Sequence, residues 1–179
     1  MKKKFLLAII SIIAAGSVSA QVYVKSNALL FALAVPNLGF EFGLGDHSTL
    51  SVEGYVSPFW EAEKLTFKGF VVTPEYRYYF CEAFNGHYLG VHGNYTQYDA
   101  LKTLNSPVYR DGYSYGAGLT YGHTWKLSHK WIVDAFIGAG WMRFDSDIVE
   151  SSSDVVHKTD VVEDKFFLDR AGVSVGYRF

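Results

Sequence analysis

The feature that most constrains this chain is the alternation of apolar residues with small or polar ones in long runs. In the last run, Tyr177 and Phe179 share one parity with other apolar residues, whereas Gly176 and Arg178 share the other. Alternation with a period of two predicts a β-strand with two different faces. Two earlier runs, at 113–125 and 131–141, alternate in the same way.

The length of these runs, 10 to 13 residues, favours strands that cross a membrane. An ordinary strand has about 5–6 residues, whereas a tilted strand that crosses a bilayer needs about 9–11. The polar parity carries mainly Gly, Ser and Thr. Small residues suit the interior of a narrow barrel whose apolar face contacts lipid. A soluble β-sandwich is the alternative, but its outer face would normally be charged.

The first twenty residues are interpreted as an export signal. Three lysines at 2–4 precede an apolar run at 5–15, and the small residues Val18 and Ala20 stand at positions −3 and −1 of the expected cleavage site. This pattern is typical of a cleaved secretory signal peptide. We therefore divide the chain into a signal peptide at 1–20 and one outer-membrane β-barrel domain at 21–179.

The composition excludes several classes of protein. Hydrophobic residues make up 49% and charged residues 19% of the 179 residues, which argues against intrinsic disorder and against a coiled coil. The single cysteine, Cys81, excludes an intramolecular disulfide and a multi-cysteine zinc site. The 16 basic residues do not outnumber the 18 acidic ones, so nucleic acid is not an expected partner. Beyond residue 20 the longest apolar run, at 28–35, has eight residues, too few for a transmembrane helix.

The mature chain divides into eight runs that read as strands. They lie at 24–35, 37–45, 48–58, 68–80, 87–98, 112–126, 130–144 and 165–179. Short connections alternate with longer polar loops at 59–67, 99–111 and 145–164, except for a tight turn at Pro36 and Asn37. Short turns at one end and long loops at the other are typical of bacterial outer-membrane barrels. The sequence thus predicts an all-β fold, an eight-stranded up-and-down antiparallel transmembrane β-barrel.

Charged side chains on the small-residue parity are expected to face the lumen. A lysine or arginine on the lipid face near the midplane costs roughly 2–4 kcal/mol, and eight strands enclose an interior just wide enough for side chains to fill. The predicted inner polar set is Glu41, Glu53, Glu75, Arg77, His92, Asn94, Thr96, Asp134 and Arg170. We interpret it as a structural plug of paired acids and bases; an ion path or proton-linked channel is the alternative.

Aromatic residues near the ends of the apolar faces predict contacts with the two membrane–water interfaces, where Trp and Tyr are enriched. The predicted interfacial set is Trp125, Trp131, Trp141, Tyr177 and Phe179. The aromatic last residue also resembles the terminal signal that outer-membrane barrels present to their assembly machinery.

Three segments resemble recurring motifs of a Bacteroidota outer-membrane barrel family that is catalogued only as a domain of unknown function. They are PNLGFEFGLG at 36–45, PEYRYYFCEAFNGH at 74–87 followed by GVH at 90–92, and YGAGLTYG at 115–122. Residues 145–164 resemble no motif of the family. The resemblance implies an outer-membrane location, and some relatives are encoded beside components of surface fimbriae. It implies no enzymatic activity.

The expected role is therefore non-enzymatic: a barrel in the cell outer membrane that presents its long loops to the outside. The expected partners are outer-membrane lipid and lipopolysaccharide, the assembly machinery, and a fimbrial or other surface protein. No cofactor or resident metal is expected. Alternatives are a small pore and, less favoured, a lipid A-modifying enzyme.

The long final loop holds the residues considered for an enzyme or a cation site. A catalytic triad would draw on Ser146, Ser153, Asp154, His157 and Asp160. None of them stands at a recognisable spacing on a strand end, so we expect no catalytic residue. The loop is also strongly acidic, and carboxylates can bind calcium or magnesium. Its spacing fits no calcium-loop motif, so divalent binding stays open.

Overall fold

Eight β-strands make up almost all of the structure, a computed structural model that describes residues 21–62, 65–102, 109–152 and 155–179. The strands are β1 (Val22–Asn27), β2 (Asn37–Gly43), β3 (Ser48–Ala62), β4 (Leu65–Tyr79), β5 (Gly86–Lys102), β6 (Tyr109–Lys126), β7 (Trp131–Ser152) and β8 (Val155–Arg178). One short helix, α1 (Ala28–Ala32), follows β1. The predicted signal peptide at 1–20 lies outside the described residues.

Each strand pairs antiparallel with the next, and β1 pairs with β8 to close the ring. This confirms the predicted all-β fold of eight up-and-down antiparallel strands. The short connections at 44–47, 80–85 and 127–130 lie at one end of the ring, together with the start of β1 and the end of β8; we call this the turn end. The opposite end, toward which the β3–β4, β5–β6 and β7–β8 hairpins point, is the hairpin end.

The prediction of a first strand over 24–35 is wrong beyond Asn27. The side chain of Asn27 accepts hydrogen bonds from the backbone N–H groups of Leu29 and Leu30 and so caps α1. Asparagine is a favourable N-cap, and the alanines and leucines that follow are good helix formers. The predicted tight turn at Pro36 and Asn37 is wrong for the same reason, because the connection from β1 to β2 spans 28–36.

The predicted long loops are largely strand. β3 and β4 continue to Ala62 and from Leu65, and β5 and β6 continue to Lys102 and from Tyr109. The correction is greatest at 145–164, where β7 and β8 pair from Asp145↔Val162 to Ser152↔Val155. Seven residues there are β-branched and favour strands, although the charged residues between them are typical of a loop.

The two faces of the strands differ as alternation requires. In β4, for example, Thr73, Glu75 and Arg77 are buried in the interior, whereas Tyr76 and Tyr78 are exposed on the outside. Small residues make room for large ones across the lumen. A Cβ on Gly122 would overlap the ring of Tyr88, so this position admits glycine alone without displacement of its neighbour.

Candidate functional site

Four charged side chains from four strands meet in the interior of the ring. The Nζ of Lys25 donates to Glu41 at 2.9 Å and to Asp134 at 2.6 Å. The Nη1 of Arg77 donates to the same two carboxylates at 3.0 and 2.9 Å. All four side chains are almost completely buried. Because two cations share two carboxylates, each charge is compensated within the cluster, as a buried ion pair requires.

Three further charges extend this cluster. The guanidinium of Arg77 donates through Nε to Glu75 at 2.7 Å, and its Nη2 lies 3.4 Å from Glu53. Arg170 lies 3.0 Å from Glu53 and 3.1 Å from Glu75. The two arginines therefore cross-link both glutamates, and the ionic network connects β1, β2, β3, β4, β7 and β8 through side chains as well as through strand pairing.

A second polar cluster is centred on His92. Its Nδ1 lies 2.8 Å from the hydroxyl of Thr120, and its Nε2 lies 2.7 Å from Asp169. Asn94 donates to the same carboxylate at 2.8 Å and accepts from the hydroxyl of Thr73 at 2.7 Å. A hydroxyl, an imidazole and a carboxylate in sequence resemble the parts of a nucleophilic site. Here Thr120 and His92 are each only 1% exposed, so a substrate has no open approach to them.

Hydroxyl groups complete the hydrogen bonds of the central carboxylates. Tyr79 and Thr49 donate to Glu41 at 2.8 and 2.7 Å. Tyr88 donates to Asp134 at 3.0 Å. A buried carboxylate is costly unless its lone pairs are satisfied, so these hydroxyls help to hold the charged cluster in place.

Apolar side chains close the interior at the turn end. Phe84, in the connection between β4 and β5, is 1% exposed and forms a cluster with Tyr23 and Ile132. The Ala83 N–H donates to the carbonyl of Asp46 at 2.7 Å, which ties this turn to the β2–β3 turn. The ring thus carries an apolar base below its charged layers.

The turn end also carries one exposed ion pair. The Nζ of Lys126 donates to Glu82 at 2.9 Å. This hydrogen bond and the charge of Lys126 hold the pKa of the Glu82 carboxyl below its usual value.

The outer face is apolar and carries two bands of aromatic residues. Trp125, Trp131, Tyr177 and Phe179 lie near the turn end, where Tyr177 packs on both Trp131 and Phe179 with ring centroids 4.8 and 5.1 Å apart. Trp141 lies in the second band, nearer the hairpin end, beside Tyr115. Among the described residues that face outward between the two bands, none is Asp, Glu, Lys or Arg.

Comparison with known sequences assigns a family but no activity. The sequence profile of a family described as "Protein of unknown function (DUF3575)" matches residues 4–179. The chain belongs to this DUF3575 family. The match confirms the expected membership of a domain family of unknown function. No curated protein matches the chain.

The structure of this DUF3575 chain brings together eight of the nine residues predicted for the lumen, and the ninth, Thr96, is half-buried. Six of them form the ionic network: Glu41, Glu53, Glu75, Arg77, Asp134 and Arg170. The other two, His92 and Asn94, both contact Asp169 in the second polar cluster. The five predicted interfacial aromatics lie on the outer face. No helix in the described part of the chain is long and apolar enough to cross a membrane.

Several interior residues of the DUF3575 chain were not predicted from the sequence. Lys25 has the parity of Tyr23 and Asn27, but the apolar run that follows obscured this alternation. Asp169 shares the odd numbering of Ala171 and Val173, which face outward. A register shift opposite Gly138 and Gly140 nevertheless turns Asp169 inward. Phe84 lies in a turn, where no periodic pattern reports burial.

Those residues considered for catalysis or cation binding that the structure describes do not assemble into a site. Ser146 is buried within the ring. Ser153 and Asp154, and the side chains of His157 and Asp160, lie outside what the structure describes. Asp145 accepts from Tyr113 at 2.8 Å. Among the described residues, no three His, Cys, Asp or Glu side chains are grouped as metal ligands.

Proposed function

We propose that this chain is a non-enzymatic integral protein of the outer membrane of a Gram-negative bacterium, which presents its hairpin end to the outside. The observation that carries the proposal is the inverted distribution of polarity: ion pairs fill the interior, whereas large apolar side chains cover the exterior. Leu119, for example, is 66% exposed and Val91 is 58% exposed. Exposed apolar surface of this extent is typical of a surface that contacts lipid.

The spacing of the aromatic bands supports the same proposal. Trp131 and Trp141 are ten residues apart on β7, which corresponds to about 33 Å along a strand. With a strand tilt of about 40°, this becomes about 25 Å along the barrel axis, the usual height of the apolar band of an outer-membrane barrel. The termini and short turns would then lie on the periplasmic side. The export signal predicted at 1–20 and the resemblance of three sequence motifs to Bacteroidota barrels also support this orientation.

The interior favours the role of a plug over that of a pore. The crossing ion pairs and the apolar base around Phe84 fill the described lumen with side chains, and nothing there favours a lipid A-modifying enzyme. The ends of the hairpins would then serve a structural role in the envelope or bind a surface component, such as a fimbrial protein. Purified protein should give no reproducible conductance steps in planar bilayers and should leave lipid A unchanged by mass spectrometry.

Epitope insertion tests both the membrane location and the orientation. A short epitope tag between Ser152 and Val155 should be labelled by antibody on intact cells, because the β7–β8 hairpin ends there. The matched control carries the same tag between Ser128 and His129, in a turn at the other end, and should be labelled only after the outer membrane is permeabilised. Equal labelling of both tags on intact cells, or recovery of the untagged protein as a soluble periplasmic monomer, would contradict the proposal.

A further inference from the structure

The ring of strands is complete only in the part nearest the turn end. β1 and β2 span six and seven residues, whereas β3 spans 15 and β8 spans 24. β1 pairs with β8 no farther toward the hairpin end than Asn27↔Ser174, and β2 pairs with β3 no farther than Asn37↔Tyr55. Beyond these pairs, within the described residues, β8 and β3 are the edges of an open sheet.

The edge of β8 is much longer than the helix beside it. α1 packs against β8, but its five residues rise only about 7.5 Å. The thirteen strand residues 155–167 extend over about 43 Å. Among the described strands, β7 alone pairs with this segment. On most of its opposite side, this segment has no partner strand within the part of the chain that the structure describes.

Hydrogen bonds at the turn end establish which residues of β7 face β8. The Leu127 N–H donates to the Trp131 carbonyl at 3.0 Å, so odd-numbered residues of β7 face β6 and even-numbered ones face β8. The register between β6 and β7 continues without a shift to Tyr109↔Val149. The assignment therefore holds along the length of β7 up to that pair.

The same parity identifies the backbone groups at the edge of β8. Gly140 is opposite Phe167, and the register continues unbroken to Ser152. Odd-numbered residues from 155 to 167 therefore direct their N–H and C=O groups toward β7. Even-numbered residues, including Val162, Asp164 and Phe166, direct theirs toward the free edge.

The outward side chains of this edge also suit a partner strand. Val162 is 54% exposed and Phe166 is 76% exposed, and they flank Asp164 with the same parity. From Val155 to Arg170 the strand has neither proline nor glycine, so it lacks the proline that commonly protects an edge from pairing. A row of backbone donors and acceptors beside alternating apolar side chains is the arrangement used in β-strand addition.

We propose that the edge of β8 binds an extended segment of another protein by β-strand addition. The segment would run antiparallel to β8 and carry apolar side chains opposite Val162 and Phe166. This inference rests on the proposed function, because that orientation places the edge at the outer surface, where a surface component would bind.

A second copy of this chain fits the same edge poorly. Two copies inserted the same way up are related by a two-fold axis along the membrane normal. Because the strands tilt by about 40° from that axis, the two β8 strands would cross at about 80°. Strands that cross at so large an angle cannot form a regular ladder of backbone hydrogen bonds.

Amide hydrogen exchange on the folded, processed chain in lipid nanodiscs tests the inference. The probe is a peptide of residues 141–152, WMRFDSDIVESS, since this sequence already pairs antiparallel with β8; a scrambled peptide is its control. Without peptide, the amides of Val162, Asp164 and Phe166 should exchange faster than those of Val161, Glu163 and Lys165. The probe should slow the first set by at least about tenfold, and the scrambled peptide should not.

Two substitutions separate backbone pairing from side-chain contact. Val162→Pro removes an N–H that faces the free edge, which an edge strand tolerates, whereas Val162→Thr keeps that N–H and a β-branched side chain. Peptide affinity, measured by fluorescence anisotropy, should fall by about tenfold or more in the first variant, a loss of at least one edge hydrogen bond. It should change by less than about threefold in the second.

The outcomes distinguish this inference from the proposed function. A chain that does not insert into lipid, judged by heat-modifiable gel mobility, would contradict the proposed function. Two results would overturn the strand-addition proposal alone, in a chain that does insert into lipid. In the first, the probe does not slow exchange of the edge amides. In the second, the probe binds the Val162→Pro variant as tightly as it binds the unchanged chain. Concentration-dependent protection of these amides without peptide would assign the edge to a second copy and would also overturn it.

Discussion

Substitution of Arg77 by methionine would remove the cation that joins the largest number of carboxylates in the interior. Arg77 is fully buried and contacts Glu41 at 3.0 Å, Asp134 at 2.9 Å and Glu75 at 2.6 Å. Two unit charges about 3 Å apart attract by about 5–6 kcal/mol at an effective dielectric constant of 20. Desolvation opposes part of this attraction, and the loss of one partner from a buried ion pair costs about 3–5 kcal/mol.

We therefore expect Arg77→Met to lower the free energy of unfolding by about 3–5 kcal/mol, measured by reversible urea titration of tryptophan fluorescence in lipid vesicles. Glu75 is the partner that is also held by Arg170. Without Arg77, part of the negative charge of Glu75 is uncompensated, and Glu75→Gln removes that charge. The double variant, Arg77→Met with Glu75→Gln, should therefore lose less stability than the sum of the two single changes.

Lys126→Met is the matched control for this prediction, because it breaks an ion pair whose side chains are 34% and 60% exposed. Such surface pairs contribute about 0–1 kcal/mol. An Arg77→Met chain that unfolded with the same free energy as Lys126→Met, or additive losses in the Arg77 and Glu75 variants, would show that Arg77 does not hold a buried ionic network.

Three further predictions concern the base, the outer face and the exposed turn. Phe84→Ala should lower the unfolding free energy by about 3–5 kcal/mol through the cavity left beside Tyr23 and Ile132, and a loss below 1 kcal/mol in the same urea titration would show that the base does not pack as described. Leu119→Arg should cost about 2–4 kcal/mol in vesicles, whereas a water-exposed position would change by no more than about 0.5 kcal/mol. Lys126→Met should raise the Glu82 pKa toward its usual value, as followed by carboxyl NMR. Because the native pKa is lowered, the stabilisation by this pair is present near neutral pH and is lost as the pH falls through that pKa. An unchanged Glu82 pKa in the variant would exclude the pair in solution.

The alternation of apolar and small residues was sufficient to predict the strand number, the up-and-down order and most of the charged residues that share the inner face. Glu75 and Arg77, two apart on β4, have the same parity and meet in the interior as that parity implies. This works because the side-chain period of a strand does not depend on tertiary contacts.

The errors arise where local and tertiary effects compete with periodicity. The run at 28–35 has no alternation, and the side-chain oxygen of Asn27 stabilises the start of a helix there by accepting backbone hydrogen bonds. The inward position of Asp169 depends on a bulge formed with β7, which a single strand's sequence does not report. The long β7–β8 hairpin contains charges that are typical of loops, although its valines and aromatics favour strand structure.

The environment of a nitroxide attached at position 119 shows whether the outer face contacts hydrocarbon, because Leu119 lies on that face and is 66% exposed. Leu119→Cys in a Cys81→Ser background leaves one cysteine, since the chain has only one of its own. In vesicles, we expect dissolved oxygen to relax the label strongly and a water-soluble nickel chelate to relax it weakly. Strong relaxation by the nickel chelate with weak relaxation by oxygen would place Leu119 in water and contradict the proposed membrane location.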